Sequence, residues 1–130
     1  MPVPLLVVDA ANVVGSVPDG WWRDRAGAAI RLRDRLVPIT SAGLTHVPGL
    51  AELPGPVEVV LVVEGKARDI PDTPGVRVER AAGSGDDAIV DVVRATDGQR
   101  PVYVVTADRE LRRRVEQLGA RTLGPSVIPR

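Results

Sequence analysis

The sequence predicts an α/β protein built on a central, mainly parallel sheet. Three β-rich runs are apolar but for Glu58, as strands covered on both faces are. Stretches with apolar residues at helical spacing alternate with them, the pattern of a layered α/β domain. Each of the three runs also ends in an acidic group.

Taken in order, Leu5 to Val8 is the first buried strand and ends at Asp9. A helix is expected over roughly Trp22 to Val37. Pro38 to Pro56 is rich in proline and glycine and reads as a loop, with a short helix around Leu50 to Leu53. Val57 to Val63 (VEVVLVV) is the second long strand and ends at Glu64. The run Pro71-Asp72-Thr73-Pro74-Gly75 is a turn leading to a shorter strand, Val76 to Glu79. A helix over roughly Asp86 to Ala95 places Ile89, Val92 and Val93 on one face. Val102 to Val105 (VYVV) is the third long strand, closed by Thr106-Ala107-Asp108. A last helix over roughly Arg109 to Leu118, with Leu111, Val115 and Leu118 at helical spacing, leads to a short strand at Arg121 to Leu123. Gly124-Pro125 ends it.

A length of 130 residues supports one domain, 1–130, rather than two. The 44% apolar and 26% charged residues are those of a folded globular chain, and no apolar run approaches the ~18 residues that cross a bilayer. The start, MPVPLLVVDAANVV, lacks the basic region and cleavage site of a secretory signal, so a cytoplasmic protein without membrane contact is expected. With no cysteine and one histidine, His46, disulfides, thiolate nucleophiles and imidazole-built metal sites are excluded. Any metal must be held by carboxylates and carbonyls.

Seventeen basic and 17 acidic residues give zero net charge, so overall charge does not announce a nucleic-acid partner. Lys66 is the sole lysine, and arginine's planar fork suits bidentate phosphate contacts. Arg23 and Arg25 flank Trp21 and Trp22, an arrangement that grips single strands by stacking and charge, although paired tryptophans also serve as packing anchors. Arg109, Arg112, Arg113 and Arg114 share one segment, most of them necessarily on its solvated face.

In an open parallel sheet, ligands bind beyond the carboxyl ends of the strands, where strand order reverses. Parallel long strands bring Asp9, Glu64 and Asp108 to one rim, and the pair Asp86-Asp87 at a helix start can complete the group. Each acid also has an ordinary structural role open to it. Asp9 and Asp108 are suited to capping the next turn, Asn12 is a good turn residue, and Ser84-Gly85-Asp86-Asp87 has the form of a capping box. Several carboxylates held together repel one another unless protons or cations intervene, so the cluster is expected to bind a hard divalent ion, Mg²⁺ or Mn²⁺. Hydrolysis at phosphorus is the chemistry that such an ion supports.

The segments LLVVDAANVVGS (5 to 16), VVLVVEGKA (59 to 67), GSGDDAIV (83 to 90) and VVTADRELRRRV (104 to 115) resemble the PIN-like NYN domain, particularly its small bacterial members. The resemblance runs through nearly the whole chain in order. It implies a Rossmann-like, three-layer PIN-type fold, an acidic Mg²⁺ or Mn²⁺ site and endoribonuclease activity. Position by position, Asp9 matches the first-strand metal aspartate and Asn12 its neighbouring asparagine. Asp86 and Asp87 match the acidic pair that opens a helix, and Asp108 the late aspartate. Glu64 falls where the family often has an aspartate followed by glycine, and is here one methylene longer.

The expected function is metal-dependent cleavage of single-stranded RNA. Asp9, Asp86 and Asp108 are the expected metal ligands, Asp87 and Glu64 supporting acids, and Asn12 a positioning group. Arg23, Arg25, Arg109 and Thr106 are expected to contact the substrate. The resemblance also implies that such a domain can act within a larger assembly such as the ribosome, and as a homodimer. Hydrolysis of free nucleotides at the same site, or a catalytically silent RNA- or protein-binding module, would use the same fold.

Overall fold

The computed structural model describes residues 2–44 and 53–129. His46 and residues 50–52 of the expected short helix lie outside them. Five strands, β1 (Leu5–Asp9), β2 (Glu58–Val63), β3 (Val76–Arg80), β4 (Val102–Val105) and β5 (Arg121–Leu123), form one sheet in the order β3-β2-β1-β4-β5. Every neighbouring pair is parallel. Val7 of the central strand lies level with Val60 of β2 and Val104 of β4.

The apolar runs follow from cover on both faces. Helices α1 (Ala10–Gly15) and α2 (Arg25–Ala42) lie on one side, where Leu6 and Val8 pack with Val59, Leu61, Leu32 and Leu36. Helices α3 (Gly85–Thr96) and α4 (Arg109–Glu116) cover the other, where Leu5 and Val7 pack with Val60, Val62, Ile89 and Leu111. Alternate residues of β1, β2 and β4 therefore point into opposite cores, whereas the edge strands β3 and β5 expose Arg77 and Arg121. Among the described residues, no helix is long and apolar enough to cross a membrane.

The fold departs from the sequence-based expectations in three places. The helix expected over Trp22 to Val37 is a 3-10 turn at Trp21–Arg23 followed by α2, because the Asp24 carboxylate accepts from Gly27 N–H at 2.9 Å and caps a new helix. α2 then runs through Pro38 into the segment expected to be loop. The apolar face that buries Leu32 and Leu36 continues to Ile39 beyond the proline, and its burial outweighs the lost hydrogen bond. The helix stops at Gly43, whose φ of +69° suits only glycine and whose Cβ would collide with the backbone at Leu53. The third departure is α1, six residues long and too short for its periodicity to show.

Sheet order reverses between β1 and β4. The chain builds outward from β1 through β2 to β3, then returns to the other side of β1 for β4 and β5. The crevice beyond the carboxyl ends of β1 and β4 is thus where such sheets place their ligands.

Candidate active site

Asp9 ends β1 at this crevice and is 5% exposed. Its Oδ1 accepts from Asn12 N–H at 3.4 Å, capping α1, and its Oδ2 accepts from the Thr106 hydroxyl at 2.9 Å. The Thr106 oxygen in turn accepts from Asp108 N–H at 3.1 Å. A chain of hydrogen bonds thus joins the ends of β1 and β4. Asn12 adds a second tie, its Oδ1 accepting from Ala107 N–H at 2.8 Å.

Asp108 caps α4 through an Oδ1 contact to Leu111 N–H at 3.0 Å. Across the crevice, Glu64 leaves the end of β2 and its Oε2 accepts from Gly85 N–H at 3.1 Å, fastening the start of α3 to the sheet. The approach is close: a Cβ at position 85 would lie 2.9 Å from Glu64 Oε1 and would displace that carboxylate. Ser84 caps the same helix through Asp87 N–H at 3.2 Å, and Asp86 sits in the first turn.

The acids act on one another. Burial, above all, raises Asp9 from an ordinary carboxyl value to about 6. The hydrogen bonds from Thr106 and Asn12 oppose that rise, and the charges of Asp86 and Glu64 add to it. Asp86 is also raised, by burial first and then by Asp108 and Glu64, with Arg114 pulling the other way and Asp87 adding a smaller push. Asp9, Glu64, Asp86 and Asp108 therefore share one field of negative charge.

Among the described residues, no three acidic or imidazole side chains are placed so that they could together hold an ion. Their oxygens turn instead to backbone N–H groups, at Asn12, Gly85 and Leu111. The donor chemistry nonetheless fits a hard divalent cation, since the neighbouring donors are carboxylate oxygens whose charges add to the rise that burial gives Asp9 and Asp86.

The other expected residues are distributed differently. Asp87 is exposed and pairs with Arg114 at 3.0 Å, outside the cluster. Thr106, expected to contact substrate, is fully buried with its hydroxyl committed to Asp9 and Asp108, so it positions these acids rather than facing a ligand. Arg23 and Arg25 lie against the tryptophans, at 5.9 Å from the Trp22 ring centre and 5.5 Å from that of Trp21, and Arg109 is exposed at the start of α4.

Two groups at the rim escaped the sequence analysis. Arg112 donates Nε–H to the Thr106 carbonyl at 2.7 Å, bracing the turn that carries Asp108. Its place among four nearby arginines gave no sign of this. Gly85 is the other, and its signal was available in the Gly83-Ser84-Gly85 run at a helix start, a place for close backbone approach.

No family model matches the chain, and no curated protein matches it. Its fold does match solved structures. The crystal structure of Rae1 (YacP) from Bacillus subtilis superimposes with a TM-score of 0.71 at 15% identity, over 97% of this chain and 70% of that one. A tryptophan-to-leucine mutant of the same protein gives 0.66 at 17% identity, over 94% and 69%. At such identities the likeness is one of fold: the chain has a PIN-type, three-layer α/β architecture with an all-parallel five-stranded sheet, shared with Rae1 (YacP) of Bacillus subtilis.

Proposed function

We propose that the protein is a metal-dependent endoribonuclease that hydrolyses phosphodiester bonds of single-stranded RNA. The observation that carries this reading is the shared field of Asp9, Glu64, Asp86 and Asp108 at the switch point of a parallel sheet. The PIN-like NYN resemblance of the sequence and the fold shared with Rae1 (YacP) support it.

In this reading Asp9, Asp86 and Asp108 would turn toward one another to hold Mg²⁺ or Mn²⁺, with Glu64 as a supporting acid and Asp87 acting from outside through Arg114. When bound, the ion supplies positive charge for the phosphate oxygens and lowers the pKa of water. The chain's own residues set the stage. Thr106 and Asn12 lock Asp9 to the end of β4, Arg112 fixes the turn that presents Asp108, and Glu64 holds α3 so that Asp86 stays at the rim. Asp9, raised to about 6, changes protonation just below neutral pH, so its charge is full only above that range. Arg23, Arg25 and Arg109 are the cations available to a phosphate backbone. Work at the ribosome, in the cytoplasm or as a homodimer belongs to the same reading.

The test is cleavage of a mixed-sequence single-stranded RNA by purified protein in Mn²⁺, in Mg²⁺ and in EDTA, with Asp86→Asn in parallel. Metal-dependent cutting that the variant loses is the expected result. Release of phosphate from free nucleotides without RNA cutting would overturn it in favour of a phosphohydrolase.

A further inference from the structure

Beside the acidic rim lies a second concavity, a cavity of about 240 Å³ between α1, the 3-10 turn, the first turns of α2 and the turn after β2. Its walls include Ala10, Ala11 and Ala29, whose short side chains leave the space open. Trp21 forms the large apolar wall. Gly15 lies near its ring, 3.8 Å from Cζ2 to the position of a Cβ, and Trp22 meets it edge-on at 6.0 Å and 86°. Arg25 lies over Trp21, and among the described residues it forms no ion pair. Glu64 belongs to both places, lining the cavity and sharing the field of Asp9 and Asp86.

We propose that this cavity is a nucleobase subsite: it takes one unpaired base of an RNA strand whose adjoining phosphate lies at the acidic rim. The inference rests on the endoribonuclease reading and adds to it how the strand is held. A volume of about 240 Å³ falls below the ~300–1,000 Å³ of clefts for drug-sized ligands and suits one ring system. An aromatic plane with a guanidinium beside it is the combination that holds splayed-out bases and their phosphates. Continuity decides the rest. Ala10 directly follows Asp9, so an occupant of the cavity and a phosphate at the rim are neighbours on one strand. A free apolar ligand would have no use for that adjacency.

The experiment uses Trp22→Phe protein, in which Trp21 is the sole tryptophan. A short single-stranded RNA, and copies carrying one abasic position, are titrated in EDTA and again in Ca²⁺, reading Trp21 emission and anisotropy. Ala11→Leu, at an exposed wall residue, fills the cavity without touching the core, and its fold is checked by circular dichroism. Binding is expected to quench Trp21. Ala11→Leu and one abasic position should each weaken binding about tenfold, and their losses should not add, because both empty the same subsite. Absent quenching in both buffers, or losses that add, would overturn the proposal. Cleavage by the same proteins in Mn²⁺ separates the two readings. Cutting indifferent to Ala11→Leu sinks the subsite alone, whereas quenching and the shared loss without any cutting sink the nuclease reading alone.

Discussion

The Thr106 hydroxyl donates to Asp9 Oδ2 at 2.9 Å, joining two residues 97 positions apart in the chain and buried at the ends of adjacent parallel strands. One oxygen atom thereby serves two acids, because the same hydroxyl accepts from Asp108 N–H. Thr106→Val keeps the shape and removes this link. It should cost about 1–3 kcal/mol in urea unfolding, the penalty of leaving buried polar groups unsatisfied. RNA cleavage should fall with it, and Thr106→Ser should restore both. Full activity in Thr106→Val would show that Asp9 needs no such anchor.

Asp9 makes the metal-free protein sensitive to pH. Its folded value, about 6, lies above the unfolded one, so its contribution to stability is complete below pH 4 and is lost as pH rises through 6. The difference from 3.8 to about 6 corresponds to about 3 kcal/mol. In EDTA, Asp9→Asn should therefore be more stable than the native chain at pH 7.5, by about 1–2 kcal/mol once the poorer contact to Thr106 is subtracted. At pH 4 that advantage should vanish or reverse. Urea unfolding at the two pH values checks the sign.

Metal should reverse the ranking. An ion that binds only the folded state at a hundred times its dissociation constant adds about 2.7 kcal/mol. Mn²⁺ should raise the melting temperature of the native protein and leave those of Asp86→Asn and Asp108→Asn nearly unmoved. A native melting curve indifferent to Mn²⁺ would count against metal binding by these acids.

Arg114 offsets the acids from outside, paired to Asp87 at 3.0 Å and lowering Asp86. As a partly exposed pair it should matter little to folding, less than about 1 kcal/mol. Arg114→Gln should instead tighten Mn²⁺ binding by roughly two- to fivefold at low salt, and the gain should shrink as salt is added. Isothermal titration at two ionic strengths measures it.

Pro38 lies inside α2 with its side exposed. A proline in a helix interior costs up to about 3 kcal/mol relative to alanine. Pro38→Ala should raise the melting temperature and leave RNA cleavage unchanged, since the residue is remote from the crevice.

The long strands were legible because parallel strands covered on both faces must be apolar throughout, and β4 runs over Val102–Val105 as its residues alone indicate. What escaped was decided by tertiary context. Burial of Ile39 carries α2 past a proline, and α1 is shorter than two turns of periodicity. At the crevice, strand-end position pointed to Asp9, Glu64 and Asp108 as neighbours, and a helix start added Asp86. The partners of their oxygens were not readable. Thr106 reads from the sequence as a substrate contact, whereas its burial against Asp9 depends on β4 lying beside β1.

Because β1 is the central strand, its two neighbours arrive at different times during synthesis. β2 follows within the first half of the chain, while β4 and Thr106 come only in the last quarter. A nascent chain that has made β1, α2, β2 and β3 already carries Asp9 and Glu64, yet one flank of β1 still lacks its partner strand and Asp9 lacks its hydroxyl anchor. The crevice is thus completed only after β1, β2 and β3 have been made. An activity housed there would stay silent until β4 slots in beside β1.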